Sequence, residues 1–177
     1  MEIKINREIN DELIEIHRIR WNLSFKKSLL YFTFYAIAGL FIFGIAALDA
    51  VKSGHFWGLF SSFGLSLIFL STYYFLHNYQ NKRKYLANIR MALALSKQRG
   101  QNTEIILNDT GVTFKDFQTH SEWKWSAFSH YMLYKNYLFL MMGSSVLNSV
   151  AIQKTELSAY EFDELVDFCK ARLYLKK

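Results

Sequence analysis

The chain has 177 residues, 51% of them apolar and 18% aromatic, and a formal net charge of +6. A single cysteine excludes an intramolecular disulfide and any C-x-x-C metal pair, and the lack of proline suits long unbroken helices. The cations gather beside the apolar runs, which points to a membrane surface as partner and away from nucleic acid.

In chain order, Ile3 and Ile5 alternate with Lys4 and Asn6, the pattern of a short strand. Asn10 reads as a helix N-cap, with Asp11 and Glu12 in the first turn where the helix dipole favours acids. Leu13, Ile14, Ile16, His17 and Trp21 then give an amphipathic helix over the rest of residues 1–27. Its apolar face suits either lipid headgroups or a domain surface. The charged character of these residues is not that of a secretory signal.

Residues 28–48 (SLLYFTFYAIAGLFIFGIAAL) and 56–76 (FWGLFSSFGLSLIFLSTYYFL) carry no charge. About 20 such residues cross a bilayer core as a helix. The short link DAVKSGH, residues 49–55, makes them an antiparallel hairpin over 28–77. Arg18, Arg20, Lys26 and Lys27 precede it; Lys82, Arg83, Lys84 and Arg90 follow; the link holds only Lys52. The excess of Lys and Arg on one side predicts both termini in the cytoplasm. Arg18, Arg20, Lys26, Lys27, Lys82, Arg83 and Lys84 are the candidates for setting topology and meeting lipid headgroups. Trp21, Tyr31, Tyr73, Tyr74 and Tyr79 mark the inner interface and Trp57 the outer.

Gly54, Gly58, Ser62 and Ser66 recur every four residues, a small-residue stripe that lets helices pack closely in lipid. The stripe serves either contact with the first span or a homodimer seam. No ionisable side chain lies within either span, which argues against a transporter. Ser61, Ser62, Ser66 and Thr72 are too few polar groups to line a pore.

Residues 78–101 continue as a basic juxtamembrane helix with Leu86, Ile89 and Leu93 on one side. From residue 102 the pattern alternates. Strands are expected at Thr103–Asn108, 112–117, 121–125, 131–135, 137–142 and Ser149–Gln153, with turns at Asp109-Thr110-Gly111 and Lys135-Asn136. Ser158 and Glu161 form a capping box before a helix whose apolar face is Phe162, Leu165, Val166, Cys169 and Leu173. A unit of about 75 residues is marginal alone. The Ile3–Ile5 strand is therefore expected to join this sheet, making about seven strands.

Trp123 and Trp125, two apart on a strand, share a face. Facing inward they are core; facing outward, with Phe117 and Tyr131, they form a docking patch for a partner. The five histidines, at 17, 55, 77, 120 and 130, have no metal-ligand spacing, and no nucleophile-elbow, Walker A or dinucleotide-binding run occurs. Cys169 on an apolar helix face reads as an inert thiol, and Asp163, Glu164 and Asp167 as a solvated surface. No metal, cofactor or enzymatic activity is expected.

The order of these elements resembles the YcxB-like family of bacterial membrane proteins. The residues that carry the resemblance are LNDTG at 107–111 with 112–117, WKWSAF at 123–128, VAIQK at 150–154, and the helix at 162–173. The family often has proline where Gln153 stands here. The resemblance implies a membrane α+β protein of the bacterial cytoplasmic membrane. Its parts are a strand and helix, a two-helix transmembrane hairpin, and a cytoplasmic PH-like β domain (102–177) closed by a C-terminal helix. It implies no activity and no catalytic residues. Two functions are expected: a non-enzymatic binding or regulatory module meeting a protein or lipid at the cytoplasmic face, or an immunity protein neutralising a toxin that acts in or at the membrane.

Overall fold

The computed structural model describes residues 2–7, 11–53, 58–99, 102–115 and 119–175. The expected Asn10 cap, Gly54, Trp57 and Phe117 lie outside these residues. The chain divides into two compact units, Met1–Ser24 with Leu86–Lys177, and Phe25–Tyr85.

Strand β1 (Glu2–Arg7) opens the chain, followed by two long helices, α1 (Asp11–Ser53) and α2 (Leu59–Gln98). With no proline or glycine pair to break it, α1 joins the amphipathic segment to the apolar run as one helix of 43 residues. It also takes in residues 49–53, expected to be part of the link. Lys52 falls in its last turn, where the dipole favours a cation. Both helices are long and apolar enough to cross a membrane.

Strands β2 (Thr103–Asn108), β3 (Gly111–Lys115) and β4 (His120–Lys124) continue the sheet that β1 begins, in the order β1-β2-β3-β4. The expected joining of the N-terminal strand is found: Glu2 pairs with Asn108, Ile5 with Ile105 and Arg7 with Thr103, antiparallel throughout. A second sheet has the order β7-β6-β5-β8, from β5 (His130–Tyr134), β6 (Tyr137–Met141), β7 (Ser149–Gln153) and the two-residue β8 (Tyr174–Leu175). The short β8, parallel to β5, brings the strands to one more than the seven expected.

Helix α3 (Ala159–Arg172) starts at the expected capping box: the Glu161 amide donates to Ser158 Oγ (3.2 Å) and the Ser158 amide to Glu161 Oε2 (2.9 Å). The Ser158 hydroxyl also donates to Glu161 Oε2 (2.7 Å), and this bond first, then the one from the Ser158 amide, holds the Glu161 carboxyl below its ordinary range. Phe162, Leu165, Val166 and Cys169 of α3 join Ile3, Ile5, Ile105, Leu107, Leu138, Leu140 and Ile152 from the two sheets in one core.

The other face of the second sheet is covered as well. Leu13, Ile16 and Ile19 of α1 pack on Tyr137, Phe139, Met141 and Ala151, with Leu93 of α2 beside them. The first half of α1 therefore spends its apolar face on the sheet. This explains why β6 (YLFLM) is buried along its whole length, since a strand covered on both faces needs a continuous apolar run. Trp21, expected at the membrane interface, is buried at 8% exposure.

In the unit Phe25–Tyr85 the helices meet along Gly39 and Gly64. A Cβ built on Gly39 would come within 2.9 Å of the Gly64 carbonyl oxygen, and one on Gly64 equally close to the Gly39 oxygen. Phe32 stacks on Tyr74 with ring centroids 3.7 Å apart. Within residues 25–85, Ser61, Gly64, Ser71 and Asn78 are the buried positions of α2, and Gly39 and Ala50 those of α1. Gly58, Ser62 and Ser66 are exposed. The expected contact of that stripe with the first span is thus replaced by another seam. The reason is geometric. Four-residue steps drift around a helix of 3.6 residues per turn, whereas the seven-residue steps from Gly64 to Ser71 to Asn78 keep facing a neighbouring helix.

Candidate functional site

Among the described residues no three His, Cys, Asp or Glu side chains are placed to hold a metal. Cys169 is fully buried, and burial pushes its thiol up to about 12, so it stays protonated and unreactive at neutral pH.

The aromatic pair does not form a docking patch. Strand β4 ends at Lys124 and Trp125 opens a 3-10 turn, Trp125–Ala127. Trp125 sits in the core against Phe128 and Phe168, and its indole N–H donates to the Asn108 carbonyl at 2.7 Å. Trp123 is half-buried against the same core, with its ring near Phe114, and Tyr131 is buried. Trp123 points inward because the β4 alternation places it with Ser121 on the core face, leaving His120, Glu122 and Lys124 to solvent.

The seven basic candidates separate into two groups. Arg18 pairs with Glu15 one turn away, at 2.8 Å. Arg20 does not belong with the lipid-facing set, because its Nη2 donates to the Ser149 carbonyl at 2.6 Å. Lys26, Lys27, Arg83 and Lys84 are exposed, with Arg83 over the Tyr79 ring at 5.9 Å, and Lys82 is half-buried.

Arg20 leads to a polar site along the free edge of β7. Strand edges expose unpaired backbone groups, and here side chains fill them. Arg7 Nη2 donates to the Ala151 carbonyl (2.7 Å) and to Glu156 Oε2 (2.7 Å), and Arg7 Nε donates to the other carboxylate oxygen of Glu156. Glu156 Oε2 in turn accepts from the Gln153 amide at 2.8 Å. One outward backbone group on each of Ser149, Ala151 and Gln153 is therefore satisfied by a side chain. Arg7 lies beside a small cleft of about 140 Å³ between the start of α1 and the end of β7, whose lining includes Glu12, Ile16 and Thr155.

This corner is electrostatically shaped. Burial, then the Arg20 and Arg7 cations, lowers the His17 pKa to about 4, so His17 is neutral at physiological pH. Burial, then Glu12, Glu15 and Glu156, raises the Tyr137 phenol above its ordinary value. Arg7 was not singled out from the sequence, although a signal existed. It has the same parity as Ile3 and Ile5, so a charged side chain stands on the inward face of β1 and requires a buried partner.

No protein-family model matches the chain, and no curated protein or solved structure is significantly similar to it.

Proposed function

We propose that the chain is an integral membrane protein of the bacterial cytoplasmic membrane, related to the YcxB-like family. In this reading its helical hairpin crosses the bilayer twice. Its two-sheet domain is a PH-like module on the cytoplasmic side that acts without catalysis, by binding or regulating a protein partner. The observation that carries the reading is the apolar surface of the hairpin. Only 6% of the apolar stretch of α1 and 17% of that of α2 is buried, which supports contact with lipid over a place in the core of a soluble fold.

Strand pairing supports the topology independently of charge. Residues 2–7 pair with 103–108, so the segments flanking the two helices share one compartment, which requires an even number of crossings. A cleaved signal does not fit, since β1 and the first half of α1 supply core residues of the domain. Two sheets closed by a C-terminal helix support the PH-like assignment.

The test is maleimide labelling of single cysteines in a Cys169→Ala background, using a reagent that does not cross membranes. Lys52→Cys should react in intact cells, and Lys4→Cys and Asp109→Cys only after lysis. Labelling of all three in intact cells, or of none, contradicts the topology. The binding role is tested by crosslinking in cells followed by mass spectrometry. A partner lost when residues 102–177 are deleted, with the hairpin still inserted, supports it.

A further inference from the structure

We propose that the cytoplasmic end of the hairpin is a binding site for anionic phospholipid, built from Lys26 and Lys27 of α1 and Arg83 and Lys84 of α2. This rests on the membrane reading above and names the lipid class that the hairpin selects.

The first ground is charge. Between residues 16 and 103 the only carboxylate is Asp49, at the other end of the hairpin, so the cations near residues 26 and 83 have no acidic neighbour on their own helices. Arg18 and Arg20 are engaged by Glu15 and Ser149, but Lys26, Lys27 and Lys84 form no ion pair among the described residues. The second ground is register. Gly39 faces Gly64 and Phe32 faces Tyr74, so Lys26 and Lys27 stand opposite residues near 79. Arg83 and Lys84 follow within roughly two turns, about 11 Å along the axis. The third ground is the ring of aromatics beside them. Tyr31, Tyr73 and Tyr79 are all exposed, at 60%, 67% and 60%, the first two on the apolar side of the cations and Tyr79 level with Lys26 and Lys27. Aromatic rings at headgroup depth with unneutralised cations just outside suit a lipid whose phosphate carries net charge. A zwitterionic lipid brings its own ammonium group and leaves these cations unneutralised.

The full-length chain is reconstituted into mixed vesicles of phosphatidylcholine and phosphatidylglycerol. Lipid retained after gentle detergent extraction is then measured by mass spectrometry, and insertion is followed separately by alkaline extraction and protease protection. Phosphatidylglycerol should be enriched around the protein over the bulk ratio. Each of Lys26→Gln, Lys27→Gln, Arg83→Gln and Lys84→Gln should lower the enrichment by up to about fivefold at low salt. Lys26→Arg and Arg18→Gln should leave it unchanged, and added inorganic polyphosphate should not displace the lipid. An inserted protein with no enrichment, with enrichment indifferent to the four Gln variants, or with lipid displaced by polyphosphate overturns this proposal alone. A chain stripped from vesicles by alkali overturns the membrane reading with it.

Discussion

The Gly39–Gly64 contact permits a sharp test of what holds the hairpin together. In Gly39→Ala the new Cβ would lie 2.9 Å from the Gly64 oxygen and 3.0 Å from Ile68 Cγ1 and Leu67 Cβ. Backbone oxygen cannot rotate away, so the helices must separate by a few tenths of an ångström along the seam. Overpacking of this kind costs about 1–3 kcal/mol. Replacing glycine by alanine inside a helix returns about 0.8–1 kcal/mol through propensity. Gly44→Ala supplies the control, because a Cβ at Gly44 meets nothing within 4 Å and collects only the propensity gain. The two variants should therefore differ by about 1–3 kcal/mol, with propensity cancelled. The assay is hydrogen exchange of hairpin peptides from the full-length protein in detergent micelles, which reads local opening apart from the β domain. Exchange should be about 5–150-fold faster in Gly39→Ala than in Gly44→Ala, a conversion of the same energy range. Gly64→Ala should behave like Gly39→Ala, and the double variant should cost less than the sum, since one separation makes room for both methyl groups. Equal exchange in Gly39→Ala and Gly44→Ala would refute the close seam.

Three further outcomes are expected of the full-length protein, with tryptophan fluorescence reporting unfolding of the core around Trp125. Arg7→Met leaves the Ala151 carbonyl without its donor and the Glu156 carboxylate with only the Gln153 amide, and should cost about 2–4 kcal/mol, partly recovered in Arg7→Met/Glu156→Met; no recovery would mean the two are not a unit. His17 has its pKa lowered to about 4, so between the unfolded value near 6.5 and 4 the unfolded chain binds the extra proton. Stability should thus fall as pH drops through that window, by at most about 3 kcal/mol, and His17→Phe should flatten the profile. Lys135 has φ 52°, the left-handed region, in the turn between β5 and β6, so Lys135→Gly should gain about 1 kcal/mol in denaturant titration. A loss there would show that the side chain contributes more than the backbone strain costs.

Local patterns were readable in the sequence where one neighbour decided them. Thr103–Asn108 and Ser149–Gln153 have the boundaries that alternation gives, and the Ser158 box opens α3 because both its partners lie within one turn. Features that depend on distant partners were not readable. Arg20 looks like one more topology cation until the β7 edge is placed beside it. The small-residue stripe at Gly58, Ser62 and Ser66 is more regular than the seam at Gly64, Ser71 and Asn78. Which face a helix buries depends on the period its partner selects. The unbroken run YLFLM in β6 did hold a clue: a strand without polar positions implies a cover on both faces, and the first half of α1 provides it.

Because β1 pairs with β2 across the whole helical insertion, the domain cannot be completed in the order in which it is made. Residues 2–7 are made about 100 residues before 103–108 and must wait for them, roughly 5–20 s at 5–20 residues per second. During that interval Ile3 and Ile5 have no core to enter, and Leu13, Ile16 and Ile19 have no sheet to cover. A nascent chain halted after the hairpin would carry a bare strand and a bare helix face. Closure of the β1–β2 ladder thus marks the point at which the whole helical insertion has been made and the core can begin to assemble.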